Sequence, residues 1–193
     1  VLAVSAPTWV SFPSDTTVEC DNVPDPAVIG ELEDVWAEDA CARDVTITFE
    51  GETITPGDCN DSYTLARLWR AEDEYGNFSE RSQLITVIDT TAPELVCPDF
   101  TGYTTTVDGT HLTVTLEANS GNNYLVSNDD FNPAVMDNCD GAPLLSYTLT
   151  GSTTGTGPDL NGVTLNSGTT DITWITADQC GNGDTCSYTV LVN

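Results

Sequence analysis

The sequence contains no lysine. Its only strong cations are four arginines, Arg43, Arg67, Arg70 and Arg81, all in the first half. They face 31 Asp and Glu residues, giving a formal net charge of −27. Nucleic-acid phosphates and anionic membranes are gripped by Lys and Arg, so this balance excludes both as partners. The lack of lysine also removes Schiff-base chemistry and Lys–Asn isopeptide crosslinks. There is one histidine, His111, in DGTHLTV beside a turn. A lone imidazole there reads as a solvated side chain rather than a base or metal ligand. HExxH, G-x-S-x-G and a phosphate-cradling glycine loop are all missing, and carboxylates are so common that no pair of them singles itself out. Catalysis is not expected. No apolar run approaches the roughly 20 residues that span a bilayer, so membrane insertion is not expected either. No signal peptide is visible. A secreted protein would have lost one, so the expectation is a mature chain or a piece cut from a longer one.

What the chain does have is cysteine, seven residues of it. Paired cysteines point to an oxidising, extracellular or cell-surface setting. It also has an internal repeat. VLAVSAP at Val1–Pro7 answers VIDTTAP at Val87–Pro93 without gaps. Glu38-Asp39-Ala40-Cys41 answers Met136-Asp137-Asn138-Cys139. The segment from Trp69 to Asn77 answers that from Trp174 to Asn182, and Leu84–Val87 answers Tyr188–Leu191 to within about a residue. The period is about one small domain, which sets domains at 1–90 and 91–193 with a short proline-stiffened linker between them. The second copy is longer, and SGNNYLVSNDDFNP, rich in turn formers, lies in its extra length.

TTVEC, DVTITFE, YTLARLW, SQLITVI, LTVTLE, PLLSYTLTG, TDITWIT and SYTVLV are short, β-branched or aromatic, and often alternating. Asp, Asn, Gly and Pro punctuate them. ELEDVWAEDACA is the one stretch where a helical period is arguable. The pattern predicts an all-β chain of two tandem Ig-like antiparallel β-sandwich domains. Trp69 and Trp174, each inside a late strand, are expected to fill the cores. The turn that follows each, Asp-x-x-Gly-Asn, is a hairpin signature in which glycine supplies positive φ and the Asp and Asn side chains satisfy turn amides.

Sandwich topology restricts the disulfides, because bonded cysteines need Cα atoms within about 7 Å. In the second copy Cys97 opens the first strand and Cys186 the last, while Cys139 and Cys180 end the second strand and the next-to-last. The expected pairs are Cys97–Cys186 and Cys139–Cys180. The first copy has Ser11 and Arg81 where the second has Cys97 and Cys186, so both members of that pair are missing together. Cys20 and Cys59 share the opposite end and are expected to pair. Cys41 matches Cys139, but Tyr75 stands where Cys180 would be, so Cys41 is expected as a buried free thiol. Cys41–Cys59 remains the alternative connectivity.

The D-T-T-A-P phrase, the D-N-C and D-A-C triplets and the W-x-A-x-D-x-x-G-N hairpin resemble hyalin-repeat (HYR-like) Ig-fold modules. Such modules occur in tandem in large Bacteroidetes surface proteins, gliding adhesins among them. The second copy matches at 137–139, 178–182 and 185–190. The first resembles a variant with V-E-C-D-N-V-P at 18–24 and Y-T-L-A-R-L-W at 63–69, and departs from it at Tyr75, where that variant commonly carries cysteine. The resemblance covers nearly the whole chain. It implies a non-catalytic extracellular adhesion or stalk module whose partners are neighbouring repeats or subunits of the same protein, together with surface glycans or proteins.

Several residues are candidates for ligands or modification. Calcium takes hard oxygen ligands. The loop ends offer Asp137, Asp140 and Asp178 in the second copy, Asp39, Asp44 and Asp73 in the first, and Asp89 and Glu94 flanking the joint. There is no EF-hand-type loop, and each Asp has turn capping as its plainer reading. Asp15-Thr16-Thr17 and Asp89-Thr90-Thr91 resemble the D-[S/T]-x acceptor of Bacteroidetes O-glycosylation, which makes Thr16 and Thr90 glycan candidates. Asn60 and Asn77 lie in N-x-[ST] sequons. The chain opens inside a strand-plus-linker phrase and stops at TVLVN, which favours a segment of a tandem array or filament; strand exchange between subunits is a further version of that reading. The alternative is a carbohydrate-binding or accessory module of a secreted enzyme. It requires a row of exposed aromatics drawn from Trp9, Trp36, Tyr103, Tyr124 and Phe131.

Overall fold

The computed structural model describes residues 5–26, 35–41 and 44–193. The chain divides into two compact units, Val1–Thr90 and Thr91–Asn193.

In unit 1, β1 (Thr8–Ser11) pairs with β3 (Trp36–Glu38). A second sheet has the order β2 (Thr16–Glu19), β6 (Phe78–Ile88), β5 (Tyr63–Asp73), β4 (Val45–Pro56). A short 3-10 turn at Cys20–Asn22 follows β2. The strict alternation of β5 decides its orientation. Leu65, Arg67, Trp69, Ala71 and Asp73 all turn inward and are buried, as expected of a period-two strand with one covered face. Leu65, Ile85 and Val87 form a buried apolar cluster, flanked by Val18, Cys20, Val23 and Tyr63. The doubtful helical stretch contains β3 where it is described; residues 31–34 and 42 of it lie outside the described residues. Glu50 is an extra residue between Phe49 and Gly51, where the β4–β5 register shifts, and Gly51 takes φ +123° at this bulge. Glycine adopts that φ at little steric cost.

Arg67 is the unexpected member of this core. It sits two residues before Trp69, where unit 2 has Ile172 before Trp174, and it is 1 % exposed. Its Nε donates to Glu52 Oε2 at 3.0 Å and its Nη2 to the Pro24 carbonyl at 2.7 Å. A buried guanidinium is tolerated only with such partners. The charge therefore ties β4 and the Pro24 segment to β5 at a point where unit 2 relies on aliphatic packing.

In unit 2, six strands form one sheet in the order β13 (Gly155–Gly157), β12 (Leu144–Gly151), β15 (Gly168–Ala177), β16 (Gly183–Val192), β9 (His111–Leu116), β8 (Thr104–Asp108). Two short pairs complete the unit: β7 (Glu94–Val96) with β11 (Ala134–Met136), and β10 (Tyr124–Leu125) with β14 (Thr164–Leu165). The inward residues of β15 and β16 (Ile172, Trp174, Tyr188, Val190 and Val192 among them) join Phe100, Phe131, Leu149, Leu160 and Leu165 in one buried cluster. Fully burying each such aliphatic or aromatic side chain is worth roughly 1.5–3 kcal/mol. Gly151, at the end of β12, has φ +101°, and a Cβ there would fall 2.5 Å from the Thr169 carbonyl oxygen, so a side chain would be both strained and in collision with β15.

The all-β expectation holds. Among the described residues pairing is antiparallel except for one pair in each unit: β2 runs parallel to β6, and β9 parallel to β16. The antiparallel expectation did not include these. β2 adds to β6 after the chain leaves β1, which lies in a different sheet, and β9 adds to β16 as the second strand of a hairpin with β8.

Candidate functional site

The two Asp-x-x-Gly-Asn hairpins have the same construction. Asp73 Oδ1 accepts the N–H groups of Tyr75 (2.9 Å) and Asn77 (2.8 Å), and Oδ2 accepts Asn77 Nδ2 (2.8 Å). Asp178 repeats the set with Cys180 N–H (2.8 Å), Asn182 N–H (2.9 Å) and Asn182 Nδ2 (2.8 Å). Gly76 (φ 83°) and Gly181 (φ 91°) close the turns. Burial pushes both carboxyls up, but the hydrogen bonds from Asn77 and Tyr75, or from Asn182, Gly181 and Cys180, outweigh it, and both end below the ordinary value of 3.8. A carboxyl depressed in the folded state stabilises the fold fully above its unfolded pKa, and that contribution is lost as pH falls through the folded value. The difference in melting temperature between the native chain and Asp178→Asn should therefore be constant from pH 7 to about 4 and shrink below about pH 4. Thermal melts across that range check it.

The remaining calcium candidates are placed as follows. Asp137 Oδ1 accepts the N–H groups of Cys139 (2.8 Å) and Asp140 (2.6 Å). Asp140 is buried, and its Oδ1 accepts Ala142 N–H (2.9 Å). Asp39 Oδ1 accepts Cys41 N–H (2.8 Å), and its Oδ2 takes the Ser5 hydroxyl (2.9 Å). Asp44 is exposed ahead of β4. Asp89 is buried after β6, and Glu94 is exposed at the start of β7. Among the described residues, neither Asp137, Asp140 and Asp178 nor Asp39, Asp44 and Asp73 bring three ligand atoms within 4.8 Å of one another. The reason is visible at Asp73 and Asp178, whose carboxylates are turned onto their own hairpins.

Cys97 is bonded to Cys186, with S–S 1.96 Å and Cα–Cα 5.7 Å. Cys20, Cys59, Cys139 and Cys180 are also disulfide-bonded. Cys41 carries a free thiol, and it is exposed rather than buried. It lies in the bend after β3, where the Asp39 carboxylate accepts its N–H.

Thr16 opens β2 and is exposed. Thr90 is exposed too, but its hydroxyl donates to the Glu19 carboxylate, and its N–H donates to Glu19 Oε2 at 3.1 Å. Asn60 is exposed and Asn77 is part of the hairpin just described. His111 is not merely solvated. Its Nε2 lies 2.6 Å from Thr189 Oγ1, which donates to Asp171 Oδ1 at 2.6 Å. With the hydroxyl proton directed at Asp171, the imidazole is the donor to Thr189. This chain crosses β9, β16 and β15 and is a sheet crosslink that the lone-histidine reading missed. The facing positions Asp171 and Thr189 were its only sequence signal.

The aromatic candidates do not form an exposed row. Phe131 is fully buried, and Tyr103 and Tyr124 pack edge-on against it at 5.6 and 6.2 Å. Trp9 is half-buried against Phe12. Trp36 alone is openly exposed, at 59 %, beside a cavity of about 510 Å³ lined by Val35, Ala37, Val45 and Ile47.

No family model matches the chain, so the likeness to hyalin repeats rests on the motifs quoted above. No curated protein matches either. Among solved structures, Drosophila N-cadherin EC1-4 is 12 % identical with a TM-score of 0.38, over 98 % of this chain and 50 % of that one. Human mucin-like protocadherin EC1-2 is 14 % identical at TM-score 0.38, over 97 % of this chain and 98 % of that one. Protocadherin Gamma B2 extracellular cadherin domains 1-5 is 13 % identical at TM-score 0.37, over 97 % of this chain and 40 % of that one. The chain thus spans half of the N-cadherin fragment and less of the longer protocadherin.

Proposed function

We propose that this chain is a non-catalytic extracellular module, two tandem Ig-like units of a repeat stalk, adhesin or filament on a bacterial cell surface. One observation carries the reading: the same tryptophan strand and the same aspartate-capped hairpin recur, bond for bond, in two successive compact units. A repeated load-transmitting unit needs that duplication, whereas a catalytic site needs a convergence of different groups. Disulfide bonds at six of seven cysteines suit an oxidising exterior. In this reading Cys20 pairs with Cys59 and Cys139 with Cys180, each within its own unit. The partners in this reading are neighbouring repeats or subunits of the same protein. The carbohydrate-binding alternative loses support because four of its five aromatics are buried or half-buried.

Antibodies raised against the folded chain should label intact, unpermeabilised source cells, and mild surface proteolysis should remove the label. Labelling only after permeabilisation would overturn the reading.

A further inference from the structure

We infer that Asp137 and Asp140 hold a calcium ion in the turn from Asp137 to Ala142, which joins β11 to β12 in unit 2. Each carboxylate gives one oxygen to the backbone: Asp137 Oδ1 to the N–H groups of Cys139 and Asp140, and Asp140 Oδ1 to that of Ala142. The second oxygen of each is buried and has no hydrogen-bond partner among the described residues, and Asp140 as a whole is only 6 % exposed. Three other aspartates that cap comparable turns differ in this respect. Asp39, Asp73 and Asp178 each have both oxygens engaged by protein donors.

Buried carboxylate oxygens without a donor are costly and call for a compensating charge. Unit 2 cannot provide one from a strong base. It contains no Lys or Arg at all, since the four arginines lie at 43, 67, 70 and 81. Its one histidine is committed to Thr189 on β16. The compensating charge must therefore come from outside this unit's side chains, and a cation from solution is the direct source.

The donor set selects the metal. Two carboxylate oxygens are hard ligands. Cys139, between them in sequence, is disulfide-bonded and offers no thiolate, and no imidazole is present in the turn. That excludes a zinc-type set. Calcium accepts six to eight oxygens in irregular geometry and completes its shell with backbone carbonyls and water, whereas magnesium demands a near-octahedral cage. A turn with two carboxylates and several carbonyls fits calcium.

The test uses the full chain, stripped with chelator, in about 150 mM salt to screen diffuse counterion binding. At ten times the dissociation constant, calcium should raise the melting temperature of unit 2 by about 5–10 °C, and calorimetric titration should show one site. Asp140→Asn keeps the bond to Ala142 and removes the unpaired charge. It should melt at or above the calcium-free native chain and lose the calcium shift. Asp178→Asn should melt lower and keep the shift, because its carboxylate belongs to the hairpin. If Asp140→Asn does not fold, Asp137→Asn carries the same expectation of a lost shift. No shift in the native chain at millimolar calcium, or an undiminished shift in a folded Asp140→Asn or Asp137→Asn, overturns the site. An equal shift with magnesium overturns its assignment to calcium.

Discussion

Trp174→Ala should lower the stability of unit 2 by about 3–5 kcal/mol, the range for emptying a large buried aromatic site. Trp174 is fully buried in β15, with its ring 5.2 Å from Tyr147 at 72°. Its Nε1 donates to Tyr188 Oη at 3.5 Å, and Tyr188 Oη donates to the Phe131 carbonyl at 2.5 Å. The indole therefore fills volume and also positions the phenol that anchors the 127–133 loop to β16. Burial pushes the Tyr188 hydroxyl pKa well up, and it stays protonated and a donor. Alanine would leave a cavity lined by Tyr147, Tyr188 and their neighbours, and the loop anchor would slacken. Trp174→Phe keeps a ring and should cost less than half as much. Guanidinium denaturation followed by circular dichroism gives the numbers. A loss below about 1 kcal/mol for the alanine variant would mean that the core is not organised around this residue.

The two tryptophans were legible because a large aromatic inside an alternating run has only one face to turn to. Arg67 follows the same rule. Leu65, Arg67 and Trp69 share a face by period, so its burial was written in LARLW, but a charge is ordinarily assigned outward. All eight strands quoted from the sequence are present, as β2, β4, β5, β6, β9, β12, β15 and β16. The eight not among the quoted runs (β1, β3, β7, β8, β10, β11, β13 and β14) are two to five residues long. Over such lengths alternation has too few positions to show. The parallel pairs were hidden for another reason, since direction depends on which sheet edge a strand reaches.

The aspartates separate along a similar line. Asp73 and Asp178 could be read as caps because Gly and Asn follow at fixed offsets. Asp137 and Asp140 could not be distinguished from them, because which carboxylate oxygen remains free depends on the backbone path of a turn without such spacing. The exposure of Cys41 was equally hidden. Its alignment with Cys139 carried the residue type across the repeat but not its burial.

Breaking Cys97–Cys186 is the second large perturbation. The bridge closes a sequence separation of 89 residues, nearly the whole of unit 2. In the chain-entropy account a closed loop of that size restrains the unfolded chain by about 4–5 kcal/mol, and measured values commonly reach about 2–4. The native state also depends on the bridge locally. Cys97 follows β7, a three-residue strand whose only sheet partner among the described residues is the equally short β11. One further bond, Leu95 N–H to Asp184 Oδ2 at 3.2 Å, links β7 to β16. Without the disulfide little remains to keep buried Leu95 in place. Unit 1 shows what the same position does without sulfur. There Ser11 and Arg81 replace the pair, and the Arg81 guanidinium lies 4.6 Å over the Phe12 ring, a contact worth only about 0.5–1 kcal/mol at an exposed site. The double variant Cys97→Ser/Cys186→Ser should therefore lose about 3–4 kcal/mol in unit 2, with exchange protection lost first at Leu95 and Val96. Denaturant titration together with hydrogen exchange by mass spectrometry reads both effects. A loss below about 1 kcal/mol, or β7 amides protected as in the native chain, would show that β7 is held by pairing and packing and that the bridge is incidental to it.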